Sequence, residues 1–171
     1  MPSKNLKNTL DKVVINPGVG RLSSTPSFEE KGLKEIINEF SSITGQKPST
    51  RAAKISIAGF KLRSGSIVGL KATLRGSRMK EFVTKLNSVV IPRLRDFRGI
   101  SLGNIDTNGN LSIGFKEHVV FPEVSQENTK VNFGLQVTFV PKFQDYNSAL
   151  TLYRELGVPL KKEAEPTKKK K

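Results

Sequence analysis

Between Ile67 and Arg75 the sequence alternates, with Val68, Leu70, Ala72 and Leu74 falling on one side of an extended chain and Lys71, Thr73 and Arg75 on the other. Successive side chains of a strand point to opposite faces. This segment is therefore a strand with an apolar face on a core and a cationic face in solvent, which an antiparallel sheet can carry.

Other elements gather around it. Lys12 to Asn16 reads as a short strand closed by the turn Asn16-Pro17-Gly18. Ser27-x-x-Glu30 has the form of a capping box, and Leu33, Ile36, Ile37 and Phe40 follow at helical spacing up to Gly45. Ser77 is placed to cap a second helix striped by Met79, Phe82, Val83, Leu86 and Val90 and ended by Pro92. Beyond the turn 106–110, alternation predicts strands through Leu111, Ile113 and Phe115 and from Val131 to Phe139, with Val119 to Phe121 an extra edge. Asp145 caps a last helix carrying Ala149, Leu152, Tyr153 and Leu156, with stop signals at Gly157 and Pro159. The expected fold is α+β: one domain over residues 1–160, a largely antiparallel sheet with helices packed on one face, and a disordered basic tail from 161 to 171.

Charge narrows the function. The chain of 171 residues has a net charge of +14, and that excess is not spread evenly. Residues 47–98 hold thirteen Lys and Arg against only Glu81 and Asp96, a net of +11; residues 1–46 are near neutral at +1, residues 99–160 sum to −2 and the tail to +4. A concentrated excess of one sign is the footprint of a polyanion-binding face, since an ordinary solvated surface intersperses both signs. No basic amphipathic helix with exposed bulky apolar groups stands out, so a membrane surface is not the expected polyanion.

Several chemistries are excluded by what the chain lacks. It has no cysteine and a single histidine, His118, so disulfides, thiol nucleophiles, zinc ribbons and multi-histidine metal centres are ruled out. No apolar run approaches the roughly 20 residues of a membrane helix, and residues 1–10 lack a secretory apolar core, so a soluble intracellular protein without metal, cofactor or small-molecule substrate is expected. Gly99-Ile100-Ser101-Leu102-Gly103 matches G-x-S-x-G, with Asp106 and His118 following in hydrolase order. The strand before and helix after that the motif requires are missing, so no enzyme is expected. Gly18-Val19-Gly20 reads as a tight turn and not a phosphate loop, and His118 as a surface or hydrogen-bonded structural residue. Zinc-finger spacing, a basic zipper, a helix-turn-helix and RNA-recognition-motif aromatics are all absent, which leaves shape and backbone recognition of folded RNA.

Six motifs in order carry a family resemblance: residues 16–20 (NPGVG), 44–48 (TGQKP), 56–63 (SIAGFKLR), 73–76 (TLRG), 92–99 (PRLRDFRG) and 121–123 (FPE). Together, from about Lys12 to about Leu160, they resemble the landmarks of bacterial large-subunit ribosomal protein five, the 5S rRNA-binding family. The resemblance implies a ribosome-bound, cytoplasmic protein of the central protuberance. Its implied partners are 5S rRNA, large-subunit rRNA, peptidyl-site tRNA and, across an intersubunit bridge, a protein of the small-subunit head. By motif matching, the 5S rRNA contacts fall on Asn16, Gln46 and Thr73, and the tRNA-facing loop on 59–69 with Lys61 and Arg63. Charge adds Lys47, Arg51, Lys54, Lys71, Arg75, Arg93, Arg95 and Arg98 as rRNA-contacting groups. The alternative kept beside this is an RNA chaperone or translational repressor acting off the ribosome. Three departures from the family pattern are present: only about ten residues precede the first strand, where the family has a further helical segment; 51–56 reads RAAKIS, losing two basic positions and gaining Arg51; and Pro17 replaces methionine, stiffening the turn that presents Asn16.

Overall fold

The computed structural model describes residues 9–22, 28, 32–60, 62–95, 97–125, 129 and 131–161. Five strands form one antiparallel sheet: β1 (Leu10–Pro17), β2 (Ser49–Ala52), β3 (Ile67–Leu74), β4 (Leu111–Phe115) and β5 (Leu135–Pro141), in the order β2-β3-β1-β5-β4. The helices are α1 (Leu33–Thr44), α2 (Gly76–Lys85) and α3 (Tyr146–Glu155). The α+β expectation holds.

Register decides which side chains meet. Leu74, Val13, Phe139 and Leu111 form one row across four strands, and Ala72, Ile15, Val137 and Ile113 the next. All eight are buried, and they join Ile36, Phe40, Met79, Phe82, Ala149 and Leu152 from the helices in one core. The alternate residues, among them Lys12, Asn16, Lys71, Thr73, Gln136 and Thr138, therefore lie on the opposite face, half-buried or exposed.

Local chemistry explains the element ends, and several depart from the sequence reading. Helix α1 stops at Gly45 as expected, whereas Ser27 and Glu30 lie outside the described residues. Ser77 is not the cap of α2. Arg75 is the extended N-cap, and Gly76, at φ 63°, turns the chain straight into the helix in a conformation that costs a side-chain-bearing residue energy. The predicted stripe is buried, but Pro92 does not end it: a wider π turn over Leu86–Val90 leads into a short turn, Ile91–Arg93, with Pro92 near its start, where a missing N–H costs little. The expected edge strand at 119–121 is a 3-10 turn, His118–Val120, and β5 begins at Leu135 and not Val131. Asp145 caps α3 as expected, accepting from the Ser148 N–H at 2.8 Å and the Ser148 hydroxyl at 2.7 Å.

One cluster accounts for the Phe121-Pro122-Glu123 motif. Lys85 of α2 reaches Glu123 at 2.6 Å, donates to the Ile43 carbonyl at 2.8 Å, and lies 5.4 Å and 5.9 Å from the ring centroids of Phe82 and Phe121. That single ammonium ties α1, α2 and the segment after β4 together.

Candidate nucleic-acid interface

The solvent face of the sheet is a patterned surface. Val14 pairs with Thr73 and Thr138, and Asn16 with Gln136. Continuing the β1/β3 register, which also pairs Gly18 with Gly69, sets Asn16 opposite Lys71, itself paired with Ser49 of β2. A row thus runs Ser49, Lys71, Asn16, Gln136, Gly114 from one edge of the sheet to the other.

Gln46, just past α1, is tied to the backbone of β3. Its Nε2 donates to the Thr73 carbonyl at 3.0 Å, and Arg78 donates to its Oε1 at 3.4 Å. Asn16 and Thr73, 57 positions apart in sequence, share the solvent face of the sheet, and Gln46 is bonded to the β3 backbone at Thr73.

The cations divide into two groups. Lys71 and Arg51, the latter opposite Gly69, flank this patch, and Lys47 and Lys54 are exposed at the ends of β2. Arg75 is exposed beside it and shares Asp11 with Lys12, at 3.9 Å and 3.2 Å. Among the described residues, Lys47, Arg51, Lys54 and Lys71 have no carboxylate partner. Such unneutralised charge is available to phosphates. Arg93, Arg95 and Arg98 are not part of the patch: they line a groove with residues of β4, the sheet edge opposite β2.

Residues 53–66 form an arm between β2 and β3, so the expected 59–69 loop ends sooner than read: residues 67–69 already belong to β3. Paired backbone bonds join Ala53 to Ser66 and Gly65 and, further out, Ile57 to Leu62. Arg63 is exposed on it; Lys61 lies outside the described residues. Charge did not reveal the arm's apolar groups: Ile55 is 73% exposed and Phe60 78%. Their signal in the sequence was a pair of bulky hydrophobes beside glycine and serine with no helical or strand period to bury them. Also missed were Lys12, Gln136 and Thr138, the polar members of alternating strands read only for their apolar members.

The residues of the serine-hydrolase motif are engaged elsewhere. Ser101 is an exposed turn residue accepting from the Gly103 N–H at 3.3 Å, and Asp106 accepts from the Asn110 backbone at 2.7 Å and side chain at 2.8 Å. Burial pushes the Asp106 carboxyl upward, but the bonds from Asn110 and Asn108 outweigh it and lower its pKa. His118 is fully buried, stacked on Phe133 at 3.9 Å. Its Nδ1 accepts from the Phe133 N–H at 3.4 Å, so Nε2–H donates to Glu39 of α1 at 3.0 Å. It is a structural histidine.

A single α+β domain that buries one face of its sheet in the core and presents on the other a mostly polar surface with unneutralised cations is an RNA-binding protein by class. Comparison with known proteins makes this particular. The family described as ribosomal protein L5 matches residues 7–63, and the C-terminal part of the same ribosomal family matches residues 67–160. Large ribosomal subunit protein uL5 of Malacoplasma penetrans is 44% identical over 170 residues, covering 96% of this chain and 89% of that protein. The uL5 proteins of Halothermothrix orenii (42% identical; 88% of this chain, 82% of the relative) and Mycoplasma pneumoniae (45%; 90% and 83%) are similarly close. The chain belongs to the ribosomal protein L5 family, whose members are structural proteins of the ribosome and not enzymes.

Proposed function

We propose that this protein is a structural constituent of the large ribosomal subunit that docks on 5S rRNA through the polar face of its sheet, with adjoining contacts to large-subunit rRNA. The observation that carries this is the sharing of one sheet face by Asn16, Thr73, Lys71 and Arg51, with Gln46 bonded to the backbone at Thr73. The cations supply sequence-independent attraction, and the short polar side chains fix register against sugar and phosphate. Family membership supports a site in the central protuberance, contact of the arm with peptidyl-site tRNA and an intersubunit bridge to a small-subunit head protein. The exposed Phe60 and Ile55 on the same arm as Arg63 suit it to tRNA, because unstacked bases and a sugar edge offer apolar surface as well as charge.

Binding to isolated 5S rRNA tests the reading. Affinity should fall steeply with salt, by about 0.7 to 0.9 log units per log unit of salt for each phosphate neutralised. Lys71→Ala should flatten that slope by about one unit, and Asn16→Ala should weaken binding with the slope unchanged. Binding indifferent to salt would overturn the proposal. Crosslinking from position 63 in intact ribosomes should reach tRNA, and from position 73 should reach 5S rRNA.

A further inference from the structure

A groove of about 1080 Å³ opens where the irregular chain after Pro92 faces the segment that follows β4. Arg93, Arg95 and Arg98 stand on it, exposed, and among the described residues none has a carboxylate partner. Between them lie Leu94, Phe97 and Val120, each packed against the core on one side and open to the groove on the other. Glu117 is the acidic group among the lining residues.

Cations over an apolar floor call for a ligand with both characters. A paired RNA stem offers the arginines its phosphates but gives Phe97 and Val120 nothing, since its bases are stacked inside. An unpaired nucleotide swung out of the helix offers phosphate oxygens to the guanidinium forks and an aromatic face to the floor. The groove also continues the RNA surface already described. Gly114, the last residue of the polar row through Asn16 and Gln136, is part of its lining, so the groove begins where that row ends. That continuity favours RNA over an acidic peptide.

We propose that this groove is a nucleotide site: it takes one unpaired, extruded nucleotide of the rRNA, with its flanking phosphates on Arg93, Arg95 and Arg98. The proposal rests on the rRNA-docking reading above and adds to it a preference for an interrupted helix.

Fluorescence anisotropy with the full chain and two labelled RNA hairpins, identical except for a single-nucleotide bulge in one, tests it. The wild type should bind the bulged hairpin about tenfold more tightly, the order expected for one base gaining an aromatic platform. Phe97→Leu, which keeps the apolar packing, should abolish the preference while leaving the perfect hairpin's affinity unchanged, and Phe97→Tyr should restore it. Lys71→Ala should weaken both hairpins alike. A wild type without preference, or a preference that survives Phe97→Leu, would overturn the nucleotide site while leaving the docking reading intact. Binding to neither hairpin at low salt would remove both. Tighter binding of an oligoglutamate peptide with one central phenylalanine, lost in Phe97→Leu, would also overturn it by giving the groove to a protein partner.

Discussion

Two glycine-containing connections in this protein are built in opposite ways. The arm between β2 and β3 is held by its own backbone bonds and by Ser64, which meets Ser56 and the Lys54 carbonyl, and it leaves Ile55 and Phe60 in solvent. The turn 106–110 is pressed into the body of the domain. Tyr153 of α3 donates its buried hydroxyl to the Gly109 carbonyl at 2.7 Å, and burial pushes that phenol's pKa well up. A Cβ on Gly109 would stand 2.8 Å from the Ala149 Cβ and 3.1 Å from the Asp145 carbonyl oxygen. One connection spends its residues on the fold and the other leaves them in solvent, so equal substitutions in the two should have unequal effects on stability.

The largest effect belongs to Gly109→Ala. It forces a side chain onto a backbone at φ 79° and into occupied space, and should cost about 3 kcal/mol or more, read from urea denaturation. An alanine tolerated there would break the contrast at its strongest point. Tyr153→Phe removes one buried hydrogen bond and should cost about 1–2 kcal/mol by the same measurement.

Acid sharpens the comparison further. Hydrogen bonds from the Ser148 side chain and backbone lower the Asp145 pKa, and Asp106 in the turn is lowered as well. A carboxylate whose folded pKa lies below its unfolded one stabilises the fold above the unfolded value, here near 3.8, and that contribution is lost as pH falls through the folded pKa. The melting temperature of Asp145→Asn should therefore lie slightly below wild type at pH 7 and converge with it below pH 3.8. The smallest stability effect belongs to the arm. Phe60→Ser should change folding free energy by less than about 0.5 kcal/mol, because the ring is already in water, and, on the proposed function, should weaken crosslinking from position 63 to tRNA.

The same division governs what the sequence made legible. The alternation around Lys71 and the stripe from Met79 to Val90 were readable because burial imposes a period, and Leu70, Ala72 and Leu74 and the whole stripe are buried as read. Strand β2 was not: all four of its residues lie outside the core, so burial leaves no pattern on them, and only pairing with β3 makes them a strand. Val119 to Phe121 misled because apolar residues in a row serve a 3-10 turn as well as a strand. In the interface, residue type and charge located the basic segment, whereas the split between the sheet face and the β4 groove depends on strand order. The bond from Gln46 to Thr73 spans 27 residues and no local rule predicts it.

Strand order also sets a timetable for the newborn chain. β1 lies between β3 and β5, so the first of the five strands to be synthesised is central and cannot complete its pairing until Leu135–Pro141 exist. At the usual rates of synthesis, residues 18–134 take roughly 6 to 23 s to make. During that interval β1 lacks both neighbours until β3 is made and one of them thereafter, and the basic segment 47–98 emerges before the strand that completes the sheet around β1. Folding of this domain is therefore a late event of its own translation, and truncation anywhere before β5 leaves the central strand without its second neighbour.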